Sequence, residues 1–298
     1  MSQITKRPDA EVLVDTETVR ALLKTQHPDL ADLPLSEVAT GWDNVTFRLG
    51  EAMAVRLPRR VASAAMLERE QRWLPTVANC LPVPVSAPLR IGKPGTQYPF
   101  SWSIVPWISG KTADLAPLRA EQAKPLARFL RALHVAAPAD APRNPTRGVP
   151  LQQRAAAVEE RMQRLAQKTS LMSSNVTKVW ESALQAPSAE MATWIHGDLH
   201  PQNVLVQKGE LAAVIDWADI AAGDSATDLA CIWMLLPTVA ARESAIAEYG
   251  SVPIATWSRA LGWAVNLANL LLETGSVNNP RHAKIGELTL RRIVQGPH

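Results

Sequence analysis

The chain has 298 residues, 47% apolar and 20% charged, and a formal net charge of +3. That length supports a sizeable core divided between two lobes, and the composition is ordinary for a globular protein. Residues 1–149 carry 19 Lys and Arg against 14 Asp and Glu, and residues 150–298 carry 12 against 14, too slight a polarity for a nucleic-acid surface but suited to an anionic ligand near the first half.

Cys80 and Cys231 form no C-x-x-C pair, so neither a zinc ribbon nor a disulfide framework is expected. The start, MSQITKRPDAEV, has no apolar signal region, and the greasiest stretch, residues 261–272, is interrupted by Asn266 and Asn269 and is too short to span a bilayer. A cytoplasmic protein without membrane association is the expectation.

After a polar lead-in over residues 1–14, Asp15 or Thr16 caps a helix predicted to reach about Thr25, with Val19, Leu22 and Leu23 on one face. Three short strands follow at 35–40, 45–49 and 52–57. Their joints, Gly41-Trp42-Asp43-Asn44 and Gly50-Glu51, carry hairpin chemistry. Residues 62–78 have helical periodicity, with Met66, Trp73, Leu74 and Val77 on one side. Proline-rich text from Pro82 to Pro88 precedes a strand at 99–105, and Pro106 to Gly110 reads as a connector between lobes. Amphipathic helices at 118–134 and 152–167 flank a loop holding Pro138, Pro142, Pro145 and Pro150. Further helices are predicted at 225–236, 240–249, 254–273 and 284–293. The expected class is α+β, with a small antiparallel β-lobe over 1–106, a connector near 105–110 and a larger, mainly helical lobe over 107–298.

Between the helices lies WIHGDLHPQNVLVQKGELAAVIDW, residues 194–217. Two short apolar runs, 204–206 and 211–215, read as strands that frame polar atoms. Asp198 and Asn203 share one small loop around Pro201, and Asp216 stands at the mouth of the following hairpin. Three oxygen-bearing side chains so arranged suit a magnesium and phosphate site.

HGDLHPQNVLV followed by VIDWADI resembles the aminoglycoside phosphotransferase family, whose fold is related to that of the protein kinases. The pattern H-G-D-x-x-x-x-N, then I-D-W, is met at His196, Gly197, Asp198, Asn203, Ile215, Asp216 and Trp217. The resemblance covers nearly the whole chain and lies nearer the aminoglycoside and macrolide kinases than the protein kinases. It implies a protein-kinase-like fold whose first lobe binds nucleotide and whose second binds substrate. Asp198 would be the catalytic base, Asn203 and Asp216 ligands of magnesium, as two ions, and ATP or GTP the co-substrate. It puts Trp42, Asp43 and Asn44 in the nucleotide-covering loop, and Val105, Trp107 and Ile108 at the hinge that accepts the purine. Arg56 stands where kinases carry a phosphate-holding lysine. Its expected partner is Glu70 in the pair Arg69-Glu70, with Glu68 the competitor. A later G-D-x-x-x-D-L-A match supplies Asp224 and Asp228, read as residues that cap and brace a helix.

The expected activity is transfer of the γ-phosphoryl group to a hydroxyl of an aminoglycoside, a macrolide or a similar compound, as in antibiotic resistance, by a monomer or weak dimer. Asp219, Trp233 and Glu273 are candidates for the acceptor pocket. Three other readings stay open. One is a housekeeping metabolite kinase of the same fold, and another a nucleotide-binding module without catalysis, since the lysine is absent. The third is a metal-dependent hydrolase using His196, Asp198 and His200, which lie at strand spacing.

Overall fold

The structure is a computed structural model and describes residues 9–296. The first eight residues of the expected polar lead-in lie outside the described residues.

Helix α1 (Thr16–Gln26) begins where Asp15 accepts the Thr18 N–H, and it buries Val19, Leu22 and Leu23. Strands β1 (Leu35–Thr40), β2 (Asn44–Leu49) and β3 (Met53–Pro58) form the expected meander. Helix α2 (Val61–Ala78) follows. Two strands complete the sheet: β4 (Arg90–Gly92), which sequence reading passed over, and β5 (Trp102–Pro106), shorter than expected. The sheet is antiparallel in the order β1-β2-β3-β5-β4. Its core gathers Phe47, Leu49, Val55, Leu57, Trp102 and Ile104 with the apolar face of α1. Each large side chain buried there contributes roughly 1.5–3 kcal/mol.

In α2 the buried stripe differs from the expected one. Ser63, Ala64, Leu67, Glu70, Leu74 and Val77 face inward, while Met66 and Trp73 are half-buried. Leu74 and Val77, with Val83 and Val85, pack into the second core rather than the first, so the end of α2 ties the two lobes together.

Strand β6 (Lys111–Thr112) leaves the connector, and α3 (Ala123–Leu133) and α4 (Ala155–Ala166) each follow a short 3-10 turn. Helix α5 (Ser174–Gln185), missed in sequence, is capped by Ser173 and buries Val176, Trp180 and Ala183. Strand β7 (Thr193–Ile195) leads into the polar loop, and β8 (Val204–Gln207) and β9 (Glu210–Val214) make the expected hairpin. Strand β10 (Ala221–Gly223) pairs with β7.

The single helix expected at 225–236 is broken into α6 (Ala226–Leu229) and α7 (Cys231–Leu235), both wholly buried. Helices α8 (Val239–Tyr249), α9 (Ile254–Asn278) and α10 (Pro280–Ile293) close the larger core. Among the described residues no helix is long and apolar enough to cross a membrane.

Candidate active site

A cleft of about 700 Å³ runs between the sheet and the helical lobe. One side is the turn between β1 and β2 (Gly41, Trp42, Asp43, Asn44) with Ala54 and Arg56 of β3. Val105, Trp107 and Ile108 form the rear, Asp198, Asn203, Asp216 and Asp219 the floor, and Leu267, Leu270, Leu271 and Thr274 of α9 the far wall.

The backbone of residues 196–198 is held from beneath. Asp228, fully buried, accepts the N–H of His196 at 2.6 Å and of Gly197 at 2.9 Å. Asp228 thus reaches back to the polar loop and does not simply brace its own helix. Asp224 accepts the Ala226 N–H at the start of α6 at 3.1 Å, although Ser225 holds the N-cap position, and also forms a buried ion pair with Arg259 at 2.6 Å. Gly197 has φ +86°, so residues 196–200 turn and do not form a strand.

That turn removes the hydrolase geometry. His196 is completely buried, with Nε2 donating to the Ile215 carbonyl at 3.0 Å and Nδ1 accepting the Asp198 N–H at 3.2 Å. His200 Nδ1 accepts the Gln202 N–H, leaving Nε2 to face Asp198 Oδ2 at 3.3 Å. Both imidazole lone pairs are therefore already used, and the two rings act as supports of the loop.

Asp198 has a second partner absent from the sequence reading. Arg147 Nη2 donates to Asp198 Oδ1 at 2.8 Å. Burial alone would raise the Asp198 carboxyl, but the Arg147 guanidinium and the hydrogen bond from His200 outweigh it and hold the group well below the usual carboxylate range. Arg147 comes from the proline-rich loop. Asn144 Oδ1 accepts the N–H groups of Thr146 and Arg147, turning the chain, while Asn144 Nδ2 donates to Asp219 at 2.6 Å. The next residue, Gly148, has φ +67°, and a Cβ there would stand 2.8 Å from the Gly223 Cα. Only a glycine lets the loop lie this close to β10.

Arg56 Nη1 donates to Glu70 Oε1 at 2.7 Å, and its Nη2 to Asp216 Oδ1 at 3.3 Å. Glu68 instead accepts from Ser101, so Glu70 is the partner. Burial, opposed by Arg56 and aided by Asp216, leaves the Glu70 carboxyl pushed up to about 7. Asp216 has φ +61°, rare for a residue with a side chain, and half its side chain is exposed to the cleft. Asn203 Nδ2 donates to the Asp198 carbonyl at 2.8 Å, and its own carbonyl accepts the Ile215 N–H, which ties the loop to the start of the Asp216 segment.

The remaining candidates divide. Trp42 and Asn44 line the cleft, and Asp43 does so while accepting from Arg60 and Ser63 at 2.7 Å each, which fastens the turn to α2. The guanidinium of Arg48 lies 4.1 Å from the Trp107 ring centroid, the Trp107 backbone N–H donates to the Ala52 carbonyl, and Ile108 lines the cleft. Asp219 lines the floor. Trp233 does not line the cleft. It is 1% exposed in the larger core, because α7 is apolar on every side. Glu273 does not line it either, being held by Arg161 and Arg164 at 3.1 and 2.7 Å.

Gln202 and His282, joined at 2.9 Å, also line the floor and were not foreseen. A histidine at the start of α10 carries no local signal for such a position.

A two-lobed α+β fold with a cleft at its connector is a kinase-like architecture, and comparison with known proteins gives the same answer. The model of the phosphotransferase enzyme family matches residues 34–263, most of the chain. The chain belongs to that family, as the motif resemblance implied.

Among solved structures, the GDP complex of wild-type aminoglycoside 2'-phosphotransferase-IIIa superposes with a TM-score of 0.67 at 16% identity, over 95% of this chain and 99% of that one. The apoenzyme of macrolide 2'-phosphotransferase MphH from Brachybacterium faecium gives 0.59 at 23% identity, over 91% and 97%. The streptomycin-ATP-APH(2")-IIa ternary complex gives 0.55 at 18% identity, over 80% and 82%. No curated protein matches the sequence.

Proposed function

We propose that the protein is a cytoplasmic kinase that moves the γ-phosphoryl group of ATP or GTP to a hydroxyl of a small molecule. Residues 1–106 form its nucleotide lobe and 107–298 its catalytic and acceptor lobe. The observation that carries this reading is the convergence of two constellations on one cleft, Arg56–Glu70–Asp216 and Asp198 with Arg147 and His200.

In the proposed reaction the acceptor oxygen attacks the γ-phosphorus, and the bond from that phosphorus to the β,γ-bridging oxygen breaks. The hydroxyl proton passes to Asp198, and a nucleoside diphosphate leaves. Arg56 forks onto the phosphates, steadied by Glu70. The turn with Trp42, Asp43 and Asn44 covers the nucleotide, and Val105 and the Trp107–Ile108 backbone receive the purine.

The donor set fits magnesium. Asn203 commits its Nδ2 to the backbone, which leaves Oδ1 as an oxygen donor, and Asp216 keeps an exposed carboxylate oxygen. Bound there, one or two magnesium ions would offset the phosphate charge. The neighbours' named ligands support a nucleotide co-substrate, and aminoglycosides and macrolides are the first acceptors to test.

The experiment is nucleotide turnover with kanamycin, a macrolide and a panel of hydroxylated metabolites. One acceptor should give phosphorylated product, and Asp198→Ala should abolish it. Equal behaviour of the two proteins for every acceptor overturns the assignment. Tight nucleotide binding with no product from any acceptor favours a non-catalytic module.

A further inference from the structure

His282 lines the cleft beside the leucines of α9, and the phosphoryl-transfer chemistry has no use for it. It is firmly placed. Asn279 Oδ1 accepts its backbone N–H at 3.4 Å. The adjacent Arg281 is clamped to Asp114, Nε to Oδ2 at 2.6 Å and Nη2 to Oδ1 at 2.8 Å, and to the Thr112 hydroxyl at 2.7 Å. Asp114 Oδ2 also accepts from Gln202 Nε2 at 3.4 Å, which turns the Gln202 amide so that Oε1 is the atom presented to His282.

That orientation decides the tautomer. An amide oxygen only accepts, so His282 Nε2, 2.9 Å away, donates, and the one proton of the neutral ring sits there. Nδ1 is left with its lone pair. It has no hydrogen-bond partner among the described residues, and it is not sealed from solvent either. The His282 ring lies 6.1 Å from the His200 ring, centroid to centroid, and His200 Nε2 faces Asp198 at 3.3 Å. An open lone pair therefore stands one side chain away from the group that flanks Asp198. Burial, then His200, lowers the His282 imidazole and keeps it neutral at pH 7, and the same surroundings disfavour an ammonium ion beside it. Leu267, Leu270 and Leu271 offer carbon surface and no charge.

We propose that His282 is a specificity-determining residue of the acceptor pocket: one hydroxyl of the acceptor donates to Asp198, a second, neighbouring hydroxyl donates to His282 Nδ1, and the carbon frame rests on the leucines. The acceptor is then a diol that is uncharged at the reacting end. This rests on the kinase reading of the cleft.

The test uses the full chain with nitrogen-15 in its histidine rings, saturated with a non-hydrolysable nucleotide analogue and magnesium. The probes share one ring: cis-cyclohexanediol with adjacent hydroxyls, cyclohexanol, and the amino alcohol in which an ammonium replaces the second hydroxyl. Before any probe is added, the His282 signals should show Nε2 protonated and Nδ1 bare. The diol should shift the Nδ1 signal and bind about threefold to tenfold more tightly than cyclohexanol, the worth of one neutral hydrogen bond. His282→Phe keeps a ring against the wall and identifies the signals by their loss; it should bring diol and cyclohexanol to equal affinity with nucleotide affinity unchanged. Gln202→Leu should release the tautomer and weaken the diol preference. A protonated Nδ1 in the free protein, no binding of the diol, no preference for it, tighter binding of the amino alcohol, or a preference that survives His282→Phe overturns the proposal. Should His282→Phe not fold, the Nδ1 shift of the wild type with diol against cyclohexanol decides alone. If the nucleotide analogue does not bind, the kinase reading fails, and the same titrations on the nucleotide-free chain still judge His282.

Discussion

Arg147 and Asp198 lie 51 residues apart in sequence and meet at 2.8 Å in the floor of the cleft. Replacing Arg147 with Met removes the nearest cation from Asp198, so its carboxyl should rise toward the ordinary value. A neighbouring arginine typically lowers an aspartate by about 1–3 pH units. With the pKa depressed in the native protein, the pair stabilises above the unfolded-state carboxylate value and is lost as pH falls through the native one. The acid limb of kcat/KM should therefore move up by about one unit or more in Arg147→Met, and Arg147→Lys should restore part of the shift. A pH–rate profile superimposable on that of the wild type excludes electrostatic control of Asp198 by Arg147.

Glu70 titrates in the opposite sense. Buried, with Oε2 lacking a partner among the described residues, it is pushed up to about 7. A raised carboxyl contributes stability below its unfolded value and loses it as pH climbs through the native one. The advantage of the wild type over Glu70→Gln should fall by on the order of 2–3 kcal/mol between about pH 5 and pH 8. Denaturant unfolding of both proteins at the two pH values checks this, and parallel curves count against it.

Much of this arrangement is legible along the chain, for local reasons. The Asp15 cap, the β1–β3 meander and the β8–β9 hairpin depend on neighbours a few residues away. Asp198, Asn203 and Asp216 fall within one short stretch whose spacing survives folding. Arg147 was hidden because its place depends on the Asn144 turn and on the contact of Gly148 with β10, both long-range. Trp233 was misplaced because an all-apolar helix has no face to read. Glu273 lay on a helix whose neighbour, α4, supplied arginines that periodicity alone does not aim.

Asp228 holds the backbone of residues 196–197, next to Asp198, through two charge-assisted bonds. Asp228→Asn keeps the shape but sets an amide against one of two N–H donors in a fully buried place. Loss of about 2–4 kcal/mol of unfolding free energy is expected. His134 Nε2 also lies within hydrogen-bond reach of Asp228 Oδ2, at 3.4 Å. A calorimetric melting temperature unchanged from the wild type would remove Asp228 from this supporting role.

Gly197→Ala should separate positioning from folding in the same loop. A methyl group at Gly197 would stand 2.9 Å from the Asp219 carbonyl oxygen, 3.0 Å from its Cβ and 3.4 Å from the Cβ of Arg147, on a backbone with φ +86°. The conformation alone costs roughly 1–3 kcal/mol in a residue with a side chain. The crowding falls on Asp219 and Arg147, the two residues that flank Asp198, and the Arg56–Glu70 pair lies on other elements. Nucleotide affinity should therefore stay within about threefold of the wild type, while kcat falls by roughly a hundredfold, the scale of misplacing a reacting group by about an ångström. Equal losses in nucleotide affinity and kcat would mean that the loop and the nucleotide side of the cleft move as one body, and that Gly197 serves the fold as a whole rather than the alignment of Asp198.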